Sequence, residues 1–93
     1  MSNTYQIYLI SDSTGETLDR IFLALKAQFQ NTEYKIHSYS FTRTENQILQ
    51  ILKDAKKYKN SVILYTIVDN NLAKYLAGES DKKFIPCFSV LGN

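Results

Sequence analysis

Two nearly continuous apolar runs, Tyr5 to Ile10 and Ser61 to Val68, constrain this chain more than any other feature. A strand with one wet face alternates apolar and polar residues, whereas a strand apolar along its whole length must be covered on both faces. Such strands are central members of parallel sheets, and parallel neighbours need a crossover of about a dozen residues, usually a helix. The chain supplies these crossovers. Leu18, Ile21, Phe22, Leu25 and Phe29 fall on one helical stripe, which places a first helix running to about Gln28–Gln30. Tyr34 to Phe41 reads as a weaker strand, and its Lys35, His37, Ser38 and Ser40 suit an edge, with His37 facing solvent. Thr44-Glu45-Asn46-Gln47 is a capping box ahead of a second stripe, Ile48, Ile51, Leu52 and Ala55. Asp69 caps a short third helix that carries Leu72, Tyr75 and Leu76 and ends near Gly78, with Glu79 to Lys83 as a polar turn. Phe84 to Leu91 makes a fourth strand, with Pro86 tolerated at its start.

The order β-α-β-α-β-α-β, joined by right-handed crossovers, predicts an α/β domain of three layers, Rossmann-like or flavodoxin-like. Its four-stranded, mostly parallel sheet has the expected order 2-1-3-4 and carries three helices, the weak second strand taking the edge. Residues 1–93 form one domain. Gly92-Asn93 follow a strand where a doubly wound fold continues into a helix, so the chain reads as part of a longer protein.

Charge and composition exclude several classes. Eleven Lys and Arg against nine Asp and Glu leave +2, too little for a nucleic-acid footprint. No apolar run approaches the roughly 18–20 residues that span a bilayer. Met1 to Gln6 lack an export signal, and the single Cys87 cannot form an internal disulfide. A cytoplasmic domain without membrane or nucleic-acid partners is expected. Cys87, in an apolar run, reads as inert core, and Lys53, Lys56, Lys57 and Lys59 as a solvated helix end.

The site candidates lie beyond the carboxyl ends of the strands, where open α/β sheets bind ligands. Ser11-Asp12-Ser13-Thr14-Gly15-Glu16-Thr17 joins the first strand to the first helix. Helix N-terminal amides, with the hydroxyls of Ser11, Ser13, Thr14 and Thr17 and a close approach at Gly15, suit an anion such as phosphate. Arg43, after the second strand, could add a bidentate donor, although a surface ion pair is its commoner role. Asp12 and Glu16 oppose an anion by charge, and Ser13 to Glu16 also fit the capping box S-x-x-E with no ligand at all. Both readings stand at this level. No G-x-x-x-x-G-K-[ST] loop, metal-ligand set or nucleophile–base–acid set can be assembled, so no catalytic or metal residue is assigned.

Ile7-Tyr8-Leu9-Ile10-Ser11-Asp12-Ser13-Thr14-Gly15-Glu16-Thr17 resembles the N-terminal signature of the pyruvate, phosphate dikinase regulatory proteins, a family that includes the phosphoenolpyruvate synthase regulators. The likeness continues through Ala27-Gln28-Phe29, Leu64-Tyr65-Thr66-Ile67-Val68, Ile85-Pro86-Cys87 and Val90-Leu91-Gly92, and departs at Asn93, where the family usually has proline. The resemblance implies bifunctional enzymes: ADP-dependent serine/threonine kinases that phosphorylate a threonine of the dikinase, and phosphorylases that remove it with inorganic phosphate. It implies a Walker-type nucleotide loop in a C-terminal half that these residues do not contain. The chain is therefore expected to be an N-terminal domain, inactive alone, with the dikinase or synthase as partner and homodimerisation left open. ADP and phosphate belong to the full-length family protein. The alternatives are a non-enzymatic partner-recognition or phosphate-binding module, and a flavodoxin-like FMN domain. The flavodoxin phosphate loop also resembles this turn, but the loops near Arg43 and Asp69 supply no aromatic residue to flank a flavin ring.

Overall fold

The computed structural model describes residues 4–29 and 31–90. Strands β1 (Tyr5–Ser11), β2 (Tyr34–Tyr39), β3 (Ser61–Thr66) and β4 (Cys87–Ser89) alternate with helices α1 (Glu16–Leu25), α2 (Glu45–Ala55) and α3 (Asn70–Lys82). The sheet order is β2-β1-β3-β4 and every neighbouring pair is parallel. Ile7 lies between Ile36 and Val62, and Ile10 between Tyr39 and Tyr65, so β1 is flanked along its length. This central place explains why its interior residues read as one apolar run.

The two faces of the sheet are unequal. One carries Tyr8, Ile10, Ile63 and Ile67 against Ile48, Ile51, Leu52 and Ala55 of α2 and Leu76 of α3. The other carries Ile7 and Leu9 against Leu18 and Phe22 of α1, a smaller cluster with Tyr34, Leu64 and Val90 at its margin. Right-handed crossovers cause this, because only the β1–β2 connection runs toward the β2 edge.

Local chemistry moves several boundaries. The Thr44 capping box forms: its hydroxyl accepts from the Gln47 N–H at 3.1 Å, and Gln47 Oε1 accepts from the Thr44 N–H at 3.0 Å. Asp69 caps α3 through the Leu72 N–H at 2.9 Å. The helix of α1 stops at Leu25 and tightens into a 3₁₀ turn, Lys26–Phe29; the Phe29 side chain lies outside the described residues. Glu79 to Lys82 is helical instead of a turn. Leu76 and Ser80 continue the buried stripe, and Glu79 on the outer face pairs with Lys82 and Lys83 at 3.2 and 3.1 Å.

Gly78 is therefore interior to α3, and the true terminus is a Schellman motif. Phe84 N–H donates to Asp81 O at 3.1 Å and Ile85 N–H to Ser80 O at 2.9 Å, with Phe84 at φ 59° in the position glycine usually takes. A Cβ added at Gly78 meets no atom within 4 Å. Gly78→Ala should accordingly raise the unfolding free energy by about 0.5–1 kcal/mol in urea titrations.

Two side-chain expectations are corrected. His37 is half-buried: Nε2 lies 2.6 Å from Gln6 Oε1, and the ring stacks on Tyr8 at 4.4 Å. Edge position left one face of β2 open, but the long side chains of the neighbouring strand cover it. Cys87 is also only half-buried, since β4 is the other edge. Burial still pushes its thiol up to about 11, weakly opposed by the Ser80 hydroxyl, so the thiolate is scarce at neutral pH. The predicted fourth strand, Phe84 to Leu91, is reduced to Cys87–Ser89 because the Phe84 and Ile85 amides close α3; its last residue, Leu91, lies outside the described residues.

Candidate functional site

The turn after β1 is built by its own hydroxyls. Ser11, buried at the strand end, turns Oγ back to accept the Ser13 N–H at 3.1 Å, with Ser13 Oγ 3.4 Å away. Gly15 then takes φ 85° and becomes the N-cap of α1, with no side-chain capping bond. The expected Ser13–Glu16 capping box does not form. Ser13 is two residues too early for the helix that starts at Glu16, and its N–H is already used by Ser11. Only a long contact, Glu16 N–H to Thr14 Oγ1 at 3.4 Å, touches the first turn.

Two loops brace the turn from outside. Phe41 N–H donates to Ser13 O and Thr42 N–H to Ser11 O, both at 2.9 Å. Arg43 Nε donates to Asp12 O at 3.0 Å, and its guanidinium lies 5.1 Å from the Phe41 ring centre. From the β3 side, Asp12 N–H donates to Thr66 O at 3.2 Å, and Asp12 Oδ2 accepts the Val68 N–H at 2.9 Å. Asp12, read from sequence only as an obstacle to anions, is thus a strut that ties the first loop to the third. The sequence offered no signal for this partner, because Asp12 and Val68 are 56 residues apart.

Ser11, Ser13, Thr14, Gly15 and Thr17 line one pocket of about 120 Å³, closed by Asp12, Thr66 and Val68. Five of the six anticipated residues therefore meet. Arg43 does not line the pocket. It supports the turn from behind, and among the described residues it makes no ion pair. The loop holding it does present an exposed aromatic, Phe41, contrary to the sequence expectation, held at φ 53° by its bond to Ser13. The opposite loop, Ile67 to Asp69, carries no aromatic residue, and Val68 is 74% exposed.

The pocket is bordered by backbone donors. Among the described residues, the amides of Thr14, Gly15 and Thr17 have no acceptor in the protein. They sit at the positive end of α1, where partial charges favour an anion. Against this, Asp12, Glu16 and Asp19 place carboxylates on or near the turn. The Val68 amide offsets the first. No histidine or lysine lines the pocket; its one ionisable side chain, Asp12, is engaged through Oδ2 by the Val68 N–H. Among the described residues no group of three or more His, Cys, Asp or Glu could hold a metal ion.

The sequence matches a family model described as Kinase/pyrophosphorylase over residues 7–93. A protein of Pelagibacter ubique is 71% identical over all 93 residues, which make up 34% of its own length. Relatives from Geotalea uraniireducens and Geobacter metallireducens are 41% and 43% identical over 92% and 94% of this chain, and over 32% of their own lengths. Each carries the name "Putative pyruvate, phosphate dikinase regulatory protein". The chain spans about a third of the length of these relatives.

Proposed function

The chain belongs to the kinase/pyrophosphorylase family, and we propose that it is the N-terminal α/β domain of a cytoplasmic regulator of pyruvate, phosphate dikinase. The whole protein would be an ADP-dependent threonine kinase and a phosphate-dependent phosphorylase, with the nucleotide loop outside these 93 residues. What carries the reading is the 71% identity to a relative of that name along the entire chain. The chain's own residues do not form a Walker-type nucleoside triphosphate loop. Gly15, Gly78 and Gly92 are its only glycines, and none opens a G-x-x-x-x-G-K-[ST] loop. No step of phosphoryl transfer is assigned to them, and the chain alone is expected to be inactive. Incubation with dikinase, ADP and phosphate tests this; threonine phosphorylation by the 93-residue chain would overturn it.

Within that protein we assign the Ser11–Thr17 turn to phosphate, free or on the partner's threonine. The supporting feature is the set of amides of Thr14, Gly15 and Thr17 beside the Ser13, Thr14 and Thr17 hydroxyls. Titration with inorganic phosphate, followed by amide NMR, should shift Thr14 to Thr17 and spare α2 and α3. Silence in that segment favours the second reading, a domain that only recognises the dikinase.

A further inference from the structure

The lysine run at the end of α2 acquires a partner that linear spacing does not show. Lys56, Lys57 and Lys59 lead into β3, while Lys83 and Phe84 close α3 ahead of β4. Both segments reach the amino-terminal end of the sheet, away from the Ser11–Thr17 turn. There they border a cleft of about 230 Å³ with Tyr58 on its wall.

Charge in this cleft is unbalanced. Lys83 is held by Glu79 at 3.1 Å, and Lys57 lies 3.9 Å from Asp54. Lys56 and Lys59 form no ion pair among the described residues. Apolar surface is equally unbalanced, since Phe84 is 90% exposed. It stands at φ 59°, a conformation in which glycine would be relaxed and phenylalanine is strained. The Schellman terminus requires the left-handed backbone but not a phenylalanine in it, and a solvated helix end would need no exposed ring. Inorganic anions would use the lysines and leave the ring idle.

We propose that this cleft binds an acidic polypeptide segment of a partner protein, its carboxylates on Lys56 and Lys59 and one apolar side chain on Phe84 and Tyr58. The site is independent of the phosphate reading, being at the opposite end of the sheet. The probe is a short synthetic peptide of Glu and Asp around a central Leu, titrated into the 93-residue chain by amide NMR. Shifts are expected at Lys56 to Ser61 and Lys83 to Ile85, not at Ser13 to Thr17, and the affinity should fall as salt rises. Lys56→Glu with Lys59→Glu should weaken binding by about tenfold or more. Phe84→Gly should raise the unfolding midpoint while weakening the Leu peptide several-fold; a Leu→Ser version of the peptide should not distinguish it from the parent. The proposal is overturned if the Leu and Ser peptides bind the parent equally. It is also overturned if inorganic polyphosphate or phosphatidylglycerol vesicles compete at lower concentration than the peptide binds.

Discussion

Leu52→Ala is expected to lower the unfolding free energy by about 2–5 kcal/mol, read from urea denaturation followed by circular dichroism. Leu52 is fully buried on α2, in one cluster with the sheet residues Tyr8, Ile10 and Ile63 and with Leu76 of α3. Its truncation removes contacts to both layers at once, and neither can move in without disturbing the other. Domains of this size have unfolding free energies of roughly 5–10 kcal/mol, so this single loss takes a large share. Leu23, 59% exposed on α1, provides the control. Leu23→Ala should change stability by no more than about 0.5 kcal/mol. Equal effects at the two positions would mean that the face covered by α2 and α3 is not the principal core.

Gly15→Ala is the second large effect and has the opposite sign to Gly78→Ala, although the chemical change is identical. A Cβ at Gly15 would stand 3.8 Å from Ser11 Cβ, an ordinary contact, so no clash is involved. The cost is conformational: φ 85° is left-handed, and an L side chain there is disfavoured by about 1–2 kcal/mol. Relaxing that strain would rotate the backbone from Thr14 to Thr17, where Thr14, Gly15 and Thr17 border the pocket. Phosphate-induced shifts should therefore weaken along with stability. If Gly15→Ala loses stability but keeps the shifts undiminished, the amides of this turn do not hold the anion.

The architecture was legible because burial writes itself into local patterns. The Tyr5–Ile10 and Ser61–Val68 runs gave the two central strands, and the polar residues of Tyr34–Phe41 gave the edge, from which the order 2-1-3-4 followed. Capping at Thr44 and Asp69 was legible for the same reason, since donor and acceptor lie within one turn. The failures share a cause as well. Glu79–Lys83 read as a turn because its outer face is polar, while its inward residue, Ser80, is small and polar too. Ser13–Glu16 matched the capping-box spacing, yet Ser11 had already taken the Ser13 amide. Gly78 looked like a helix end, whereas the left-handed position fell to Phe84.

Sequence by itself determined the fold class, the strand order, the family resemblance and the five residues that meet at the pocket after β1, all carried by periodicity or by a contiguous string. Tertiary structure alone decided that Asp12 receives the Val68 amide, that Arg43 braces the turn instead of lining the pocket, and that Lys56 and Lys59 share a cleft with Phe84. These pairings join residues far apart in sequence. Their geometry is set by how parallel strands align their ends, which no local pattern encodes.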